Sequence, residues 1–179
     1  MSAPLLRVRN LTKHFPVKGG LLRRTVAQVK AVDGVSFDIA RGQTLGLVGE
    51  SGCGKSTLGR AILRLHEPTA GEVHLEDTDV IAAGRSELKR LRRNMQIIFQ
   101  DPYSSLNPTM SVQSILEEPL EIHHLDERRV NEEMIFSALE DCRLTPQESF
   151  LPKYPHLLSG GQRQRVAIAR AIILRPKYI

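Results

Sequence analysis

Residues 44–58 read Thr-Leu-Gly-Leu-Val-Gly-Glu-Ser-Gly-Cys-Gly-Lys-Ser-Thr-Leu, and this stretch decides the fold. Within it Gly49–Ser56 is a complete G-x-x-x-x-G-K-S phosphate-binding loop. Thr44–Val48 is a short apolar run that predicts a buried strand. Leu58, Ala61, Ile62 and Leu65 follow at the spacing of one apolar helix face. A loop between a strand and a helix is the setting this motif requires, and it disfavours the plainer reading of a glycine-rich turn with a surface lysine. Gly49, Gly52 and Gly54 let the backbone curl so that its N–H groups, including those of Glu50, Ser51 and Cys53, point at phosphate oxygens. The positive end of the following helix favours the same anion. Lys55 is placed to reach the β- and γ-phosphates of a nucleotide, Ser56 to hold Mg²⁺, and Thr57 offers a further hydroxyl.

A second motif lies downstream. Leu158-Ser159-Gly160-Gly161-Gln162 precedes an apolar-periodic run that stops before Pro176. Ser159 is the expected cap of a helix over about 160–174. Gly160 and Gly161 put no side chain over its start, so an anion can approach the backbone amides closely. Alone this is an ordinary capped helix; beside the phosphate loop it reads as a second phosphate contact.

With both motifs in this order the chain resembles the ATP-binding subunit of an ABC transporter, and Leu158–Gln162 resembles the family's signature sequence. The resemblance implies a P-loop NTPase (RecA-like) α/β core with an N-terminal antiparallel β subdomain and an inserted helical subdomain. It also implies that two ATP-binding subunits pair head to tail, identical or homologous. Each ATP then lies between one phosphate loop and the partner's Ser159, Gly160, Gly161 and Gln162. Ile97-Ile98-Phe99-Gln100 reads as a strand ending in Gln and resembles the family's Q-loop, whose Gln contacts the metal and the nucleophilic water. Gln100 is therefore the implied supporting residue for hydrolysis and a second Mg²⁺ contact. Phe15 stands where the family puts an aromatic that stacks on adenine; a core residue at a strand end is the equal alternative.

The sub-family is also legible. Asp101-Pro102-Tyr103-Ser104-Ser105-Leu106-Asn107-Pro108 and Asn10–Val17 resemble the corresponding segments of dipeptide and oligopeptide importer ATPases, which nickel and glutathione importers share. This implies a peripheral location on the cytoplasmic face of the inner membrane, transmembrane permease subunits as partners, and a substrate-binding protein reached through the complex. The family's Walker B aspartate, catalytic glutamate and switch histidine are not found: the six histidines all precede the second motif. The expectation is a truncated ABC ATP-binding domain over 1–179 that does not itself hydrolyse ATP. Its core is expected at 1–100 and 158–179, with the helical subdomain at 101–157.

Composition sets the outer bounds. A length of 179 residues predicts one domain. Two cysteines, Cys53 and Cys142, do not resemble a disulfide framework or a metal cluster. No apolar run approaches the roughly 18 residues of a membrane span. Net charge is +5 and pI about 9.5, but unevenly distributed. Residues 1–30 hold seven Lys/Arg and no acid, while residues 117–148 hold ten acidic and three basic residues. Pro16 and Gly19-Gly20 break any amphipathic helix in the basic segment, so strands and a solvated loop are expected there. The basic pI is the one feature favouring a nucleic-acid-handling relative. Those proteins separate the two motifs by long coiled coil, and no sustained heptads occur here, so no nucleic-acid partner is expected. A non-catalytic fragment is the remaining alternative. Further expected elements are strands near 72–76 and 95–100 and helices near 86–93, 111–123 and 126–141.

Overall fold

The structure is a computed structural model that describes residues 3–19, 24–101, 105–123 and 128–179. They group into two compact units, Met1–Leu91 and Arg92–Ile179.

The first unit is built on an antiparallel sheet. Strands β1 (Leu6–Gly19) and β2 (Arg24–Ile39) form a long hairpin; β3 (Ala70–Leu75) and β4 (Thr78–Asp79) complete the order β2-β1-β3-β4. Alternation sets the faces: Leu6, Val8, Val73 and Leu75 are buried, while Arg7 between the first two is exposed and His74 between the last two is half-buried. Leu6 pairs with both Ile39 and Leu75, and Phe15 pairs with Val29. The register slips between Val8 and Leu11, where Asn10 adopts a positive φ of 48°. Helix α1 (Lys55–Ile62) lays Leu58, Ala61 and Ile62 into the same core. Just past its end, Arg64 donates to the Ala83 carbonyl at 2.6 Å and pairs with Glu67 at 2.9 Å, tying the helix exit to the turn after β4.

Helix α2 (Arg85–Asn94) spans the boundary between the units. The second unit then holds α3 (Val112–Ile122), α4 (Arg128–Asp141) and α5 (Gly160–Ile172), with short 3₁₀ turns at Gln147–Ser149 and Pro155–Leu157. Its core joins Val112, Ile115, Leu116 and Leu120 of α3 to Ile135 and Leu139 of α4 and to Val166, Ala167 and Ala169 of α5. The first amides of α3, which have no intrahelical acceptor, are satisfied from outside. Val112 N–H donates to Lys153 O at 2.8 Å and Gln113 N–H to Leu151 O at 3.1 Å. Thus the helix of the second motif packs with the helices of residues 112–141 in one apolar core.

Two expected strands are absent. Residues 43–50 have no regular secondary structure, and Leu45 (44%), Leu47 (49%) and Val48 (96%) are exposed. No strand among the described residues pairs with this run, and an apolar segment without a ladder partner has nothing to hold it extended or to cover it. Residues 95–100 were expected as a strand for the same reason, from their apolar run. Here a single parallel bridge, Met95 with Tyr178, is formed, supported by Gln96 N–H to Tyr178 O at 3.0 Å. The helices lie close to their expected positions, with 124–127 at the start of the expected 126–141 helix outside the described residues.

Candidate nucleotide site

The phosphate loop closes on its own lysine. Lys55 Nζ donates to Gly49 O and Glu50 O, each at 2.6 Å, and lies 3.3 Å from Cys53 Sγ. The loop thus gathers Gly49, Glu50, Cys53 and Lys55 around one ammonium group. Gly54, the residue before α1, has φ 97°, and a Cβ there would collide with the Ala31 carbonyl oxygen of β2. Only glycine meets both conditions, so the loop is fitted against the sheet at this point. No side chain caps α1 and no acidic residue stands in its first turn. Its orphan N–H groups and the positive end of its dipole are therefore left for an external anion, the arrangement that suits a polyphosphate. Ser51, Gly52, Cys53 and Ser56 are exposed, with Thr57 half-buried beside them.

The residues present fit a nucleotide with Mg²⁺. The loop and helix start supply a cation, a glycine cradle and two first-turn hydroxyls, Ser56 and Thr57. Among the described residues no cluster of three His, Cys, Asp or Glu side chains could hold a metal alone. The exposed Ser56 hydroxyl suits Mg²⁺, which keeps several waters and takes phosphate oxygens beside one or two protein ligands.

Phe15 lies on β1, half-buried. Lys13 Nζ sits 4.8 Å over its ring, and His66 meets its edge at 5.7 Å with an interplanar angle of 89°. Lys13 is itself anchored on Glu67 O at 2.8 Å. The ring is therefore neither a plain core residue nor unsupported: a cation holds it on one side.

The second motif is a capping box. Ser159 Oγ accepts from Gln162 N–H at 3.3 Å, and Ser159 N–H donates to Gln162 Oε1 at 2.9 Å. Sequence reading found the Ser159 cap but gave Gln162 a nucleotide contact only. The S-x-x-Q spacing was the available signal for its capping role. Because Ser159 Oγ is the acceptor in that bond, its own O–H proton stays free to be directed outward. Gly160 and Gly161 are exposed with nothing near where a Cβ would stand, and no acid lies in the first turn of α5. Gln100 is exposed at the end of the Met95–Gln100 run; Pro102, Tyr103 and Ser104 lie outside the described residues. The phosphate loop and Phe15 belong to the first unit, Gln100 and Ser159–Gln162 to the second.

The sequence profile of the ABC transporter family matches residues 32–179. The chain belongs to the ABC transporter family. It is 46% identical over 176 residues to the oligopeptide transport ATP-binding protein AppF of Bacillus subtilis, covering 98% of this chain and 53% of that protein. It is 48% identical over 179 residues to the dipeptide transport ATP-binding protein DppF of Haemophilus influenzae, covering 99% and 54%. The glutathione import ATP-binding protein GsiA of Pectobacterium atrosepticum is 47% identical over 176 residues, covering 98% of this chain and 28% of that protein. The chain thus spans about half the length of the first two of these curated relatives. Among solved structures, the dimeric ATP-binding cassette MJ0796 bound to ADP and Pi superposes with a TM-score of 0.78 at 30% identity. It covers 96% of this chain and 70% of that one. The fold is accordingly that of an ABC ATPase cassette, with the antiparallel β subdomain and the helices expected from the sequence.

Proposed function

We propose that the protein is the ATP-binding subunit of an ABC importer for dipeptides or oligopeptides, coupling ATP binding and hydrolysis to uptake across the cytoplasmic membrane. The observation that carries this reading is the phosphate loop. A glycine cradle and Lys55 converge at a helix start that has neither a capping side chain nor a carboxylate. The names of the relatives that match almost the whole chain support the peptide cargo. The glutathione importer at similar identity keeps a small peptide-like cargo within reach of the same subunit type.

In this reading Lys55 leaves the Gly49 and Glu50 carbonyls and turns to the β- and γ-phosphates, where its charge counters the charge that develops in phosphoryl transfer. The N–H groups from Gly49 to Thr57 hold the remaining phosphate oxygens. Ser56 Oγ would hold Mg²⁺, which would supply neutralisation of phosphate charge, and Gln100 keeps the metal-contact role that the family resemblance implies. Phe15 carries the adenine. The O–H of Ser159 and the amides of Gly160 and Gly161 face the γ-phosphate held by a second ATP-binding subunit; the dimeric neighbour with ADP and Pi supports such a pairing. Permease subunits and a substrate-binding protein complete the assembly, and the subunit sits on the cytoplasmic face of the membrane. No helix among the described residues is long and apolar enough to cross it.

The test is equilibrium binding of MgATP to the 179-residue chain, with phosphate release measured for the full-length gene product. We expect specific MgATP binding by the chain, no turnover by the chain alone, and turnover by the full-length protein. Absence of nucleotide binding in both, or turnover in the full-length protein that depends on added DNA, would overturn the reading.

A further inference from the structure

The stretch of β1 that carries Phe15 and the turn that leaves helix α1 are laced together. Thr69 N–H donates to Thr12 O at 2.8 Å, and His14 N–H donates to Thr69 Oγ1 at 3.0 Å. Ala70 opens β3 and pairs with Thr12. On the helix side, Leu65 N–H and His66 N–H both donate to Arg60 O, at 2.8 and 3.2 Å, so the exit turn is wound onto α1 itself. Arg64 Nε reaches both carboxylate oxygens of Glu67, at 2.9 and 3.0 Å. Two contacts then join this turn to the Phe15 ring. His66 meets the ring at an interplanar angle of 89°, and Lys13, whose Nζ is fixed on Glu67 O at 2.8 Å, stands 4.8 Å over its face. At its other end α1 starts from Gly54, which lies against the Ala31 carbonyl oxygen of β2. Ala31 stands between Lys30 and Val32, the strand partners of His14 and Lys13. The Phe15 ring and the phosphate loop are thus joined twice, through α1 and through β2, within the first unit.

We propose that Lys13 is a positioning residue for the nucleotide base, acting through the Phe15 ring. This rests on the reading that Phe15 carries the adenine. A ring has two faces, and the Lys13 ammonium takes one of them, so the base stacks on the other. The Glu67 carbonyl fixes the ammonium, and the ammonium fixes the ring before a nucleotide arrives, which leaves less ordering to be done on binding. A cation drawing on one π-face also suits the opposite face to an electron-rich base such as adenine. Lys13 is committed to a carbonyl and a ring, whereas Lys55 is the ammonium inside the phosphate loop. The effect of Lys13 is therefore confined to ligands that carry a base. Arginine keeps a cation over the ring and a donor for the same carbonyl; methionine keeps the bulk of the stem and loses both.

The experiment uses the full-length gene product with Lys13→Met, Lys13→Arg, Phe15→Ala and the double variant of Lys13→Met with Phe15→Ala. Equilibrium binding without turnover measures affinity for MgATP and for magnesium tripolyphosphate, which carries the phosphates and no base. We expect Lys13→Met to weaken MgATP binding by about threefold to tenfold and tripolyphosphate binding by less than about twofold. Lys13→Arg should bind MgATP within about twofold of wild type. In the Phe15→Ala background, Lys13→Met should add nothing further, because the ring through which it acts is gone. If Lys13→Met fails to fold, Lys13→Gln, a neutral donor that keeps a bond to the Glu67 carbonyl within reach, carries the same expectation. Unchanged MgATP affinity in the folded Lys13 variants, with Phe15→Ala still weakening it, overturns the proposal and leaves the Phe15 reading intact. An equal loss for MgATP and tripolyphosphate also overturns it, and so does a Lys13 effect that persists in full without the Phe15 ring. Unchanged MgATP affinity in Phe15→Ala overturns the adenine reading and this proposal together.

Discussion

The two glycine-rich motifs start their helices in opposite ways. Helix α5 begins from a reciprocal box between Ser159 and Gln162, and its Val166, Ala167 and Ala169 lie in a closed core with α3 and α4. Helix α1 begins from Gly54 in a left-handed conformation with no side-chain cap, and residues 41–53 leading to it are exposed. Both helix starts present uncompensated amides to an anion. What differs is the support behind them. The second motif is held by contacts made within its own unit. The first is held by Gly54 against Ala31 and by Lys55 on its own loop, while the apolar run feeding it has no strand partner among the described residues. A local motif can thus be complete in chemistry while its scaffold depends on distant pairing.

The largest effect tests whether the less supported loop nonetheless carries the chemistry. Lys55→Ala in the full-length protein removes the only cation that the loop gathers, a positioned electrostatic contribution of several kcal/mol. ATP-dependent transport should be abolished, and turnover by purified protein should fall by about a hundredfold or more. Near-normal turnover would show that Lys55 is not the phosphate lysine.

A pair of truncations then compares the scaffolds directly in the 179-residue chain. Leu116 is fully buried at 0% exposure, and Leu116→Ala should cost about 2–5 kcal/mol of stability. Leu47, half-exposed and outside any strand, should lose less than about 0.5 kcal/mol on the same change. Chemical denaturation measures both. A Leu47→Ala cost as large as that of Leu116→Ala would mean that the 44–48 run is packed in solution, and the contrast would fail.

A smaller effect probes the cap. Ser159→Ala removes the acceptor for the Gln162 amide and should destabilise the chain by about 1 kcal/mol, within a range of roughly 0.5–2. Ser159→Asn, which keeps an acceptor, should recover most of it. Equal melting temperatures for wild type and Ser159→Ala would show that the box does not hold in solution.

This division also explains what the sequence made legible. The phosphate loop, the Ser159 cap and the helices near 112–122 and 160–172 were readable because each rests on neighbours three or four positions away, or on glycine geometry. The strands at 44–48 and 95–100 were misread because apolar runs declare burial but not what buries them. The ladder that would make them strands is a long-range property. The edge contact of Phe15 with His66 and the reach of Arg170 to Ser105 join residues 51 and 65 positions apart. No spacing rule announces contacts of that kind. The capping role of Gln162 is a local property, carried by the S-x-x-Q spacing from Ser159.

The smallest effect uses the two cysteines, one in each unit. Cys53 is exposed in the phosphate loop beside Lys55, whereas Cys142 is buried against the helical core. Burial, with Asp141 adding to it, pushes the Cys142 thiol above its ordinary range, and Arg165 only partly offsets this. The thiolate is the reacting species, so a raised pKa leaves Cys142 protonated and slow at every pH below it. Alkylation of the folded chain at neutral pH should therefore mark Cys53 alone. Cys142 should follow only as pH rises above the usual thiol range of about 8.5, or on unfolding. MgATP should slow labelling of Cys53 several-fold, because the phosphates would occupy the space around its Sγ, and should leave Cys142 unchanged. Mass-spectrometric labelling rates at both sites, with and without MgATP, measure this. Equal rates at Cys53 under the two conditions would place the nucleotide elsewhere. Fast labelling of Cys142 at neutral pH would show instead that the helical unit opens more readily than its closed core implies, and the contrast between the two motifs would narrow.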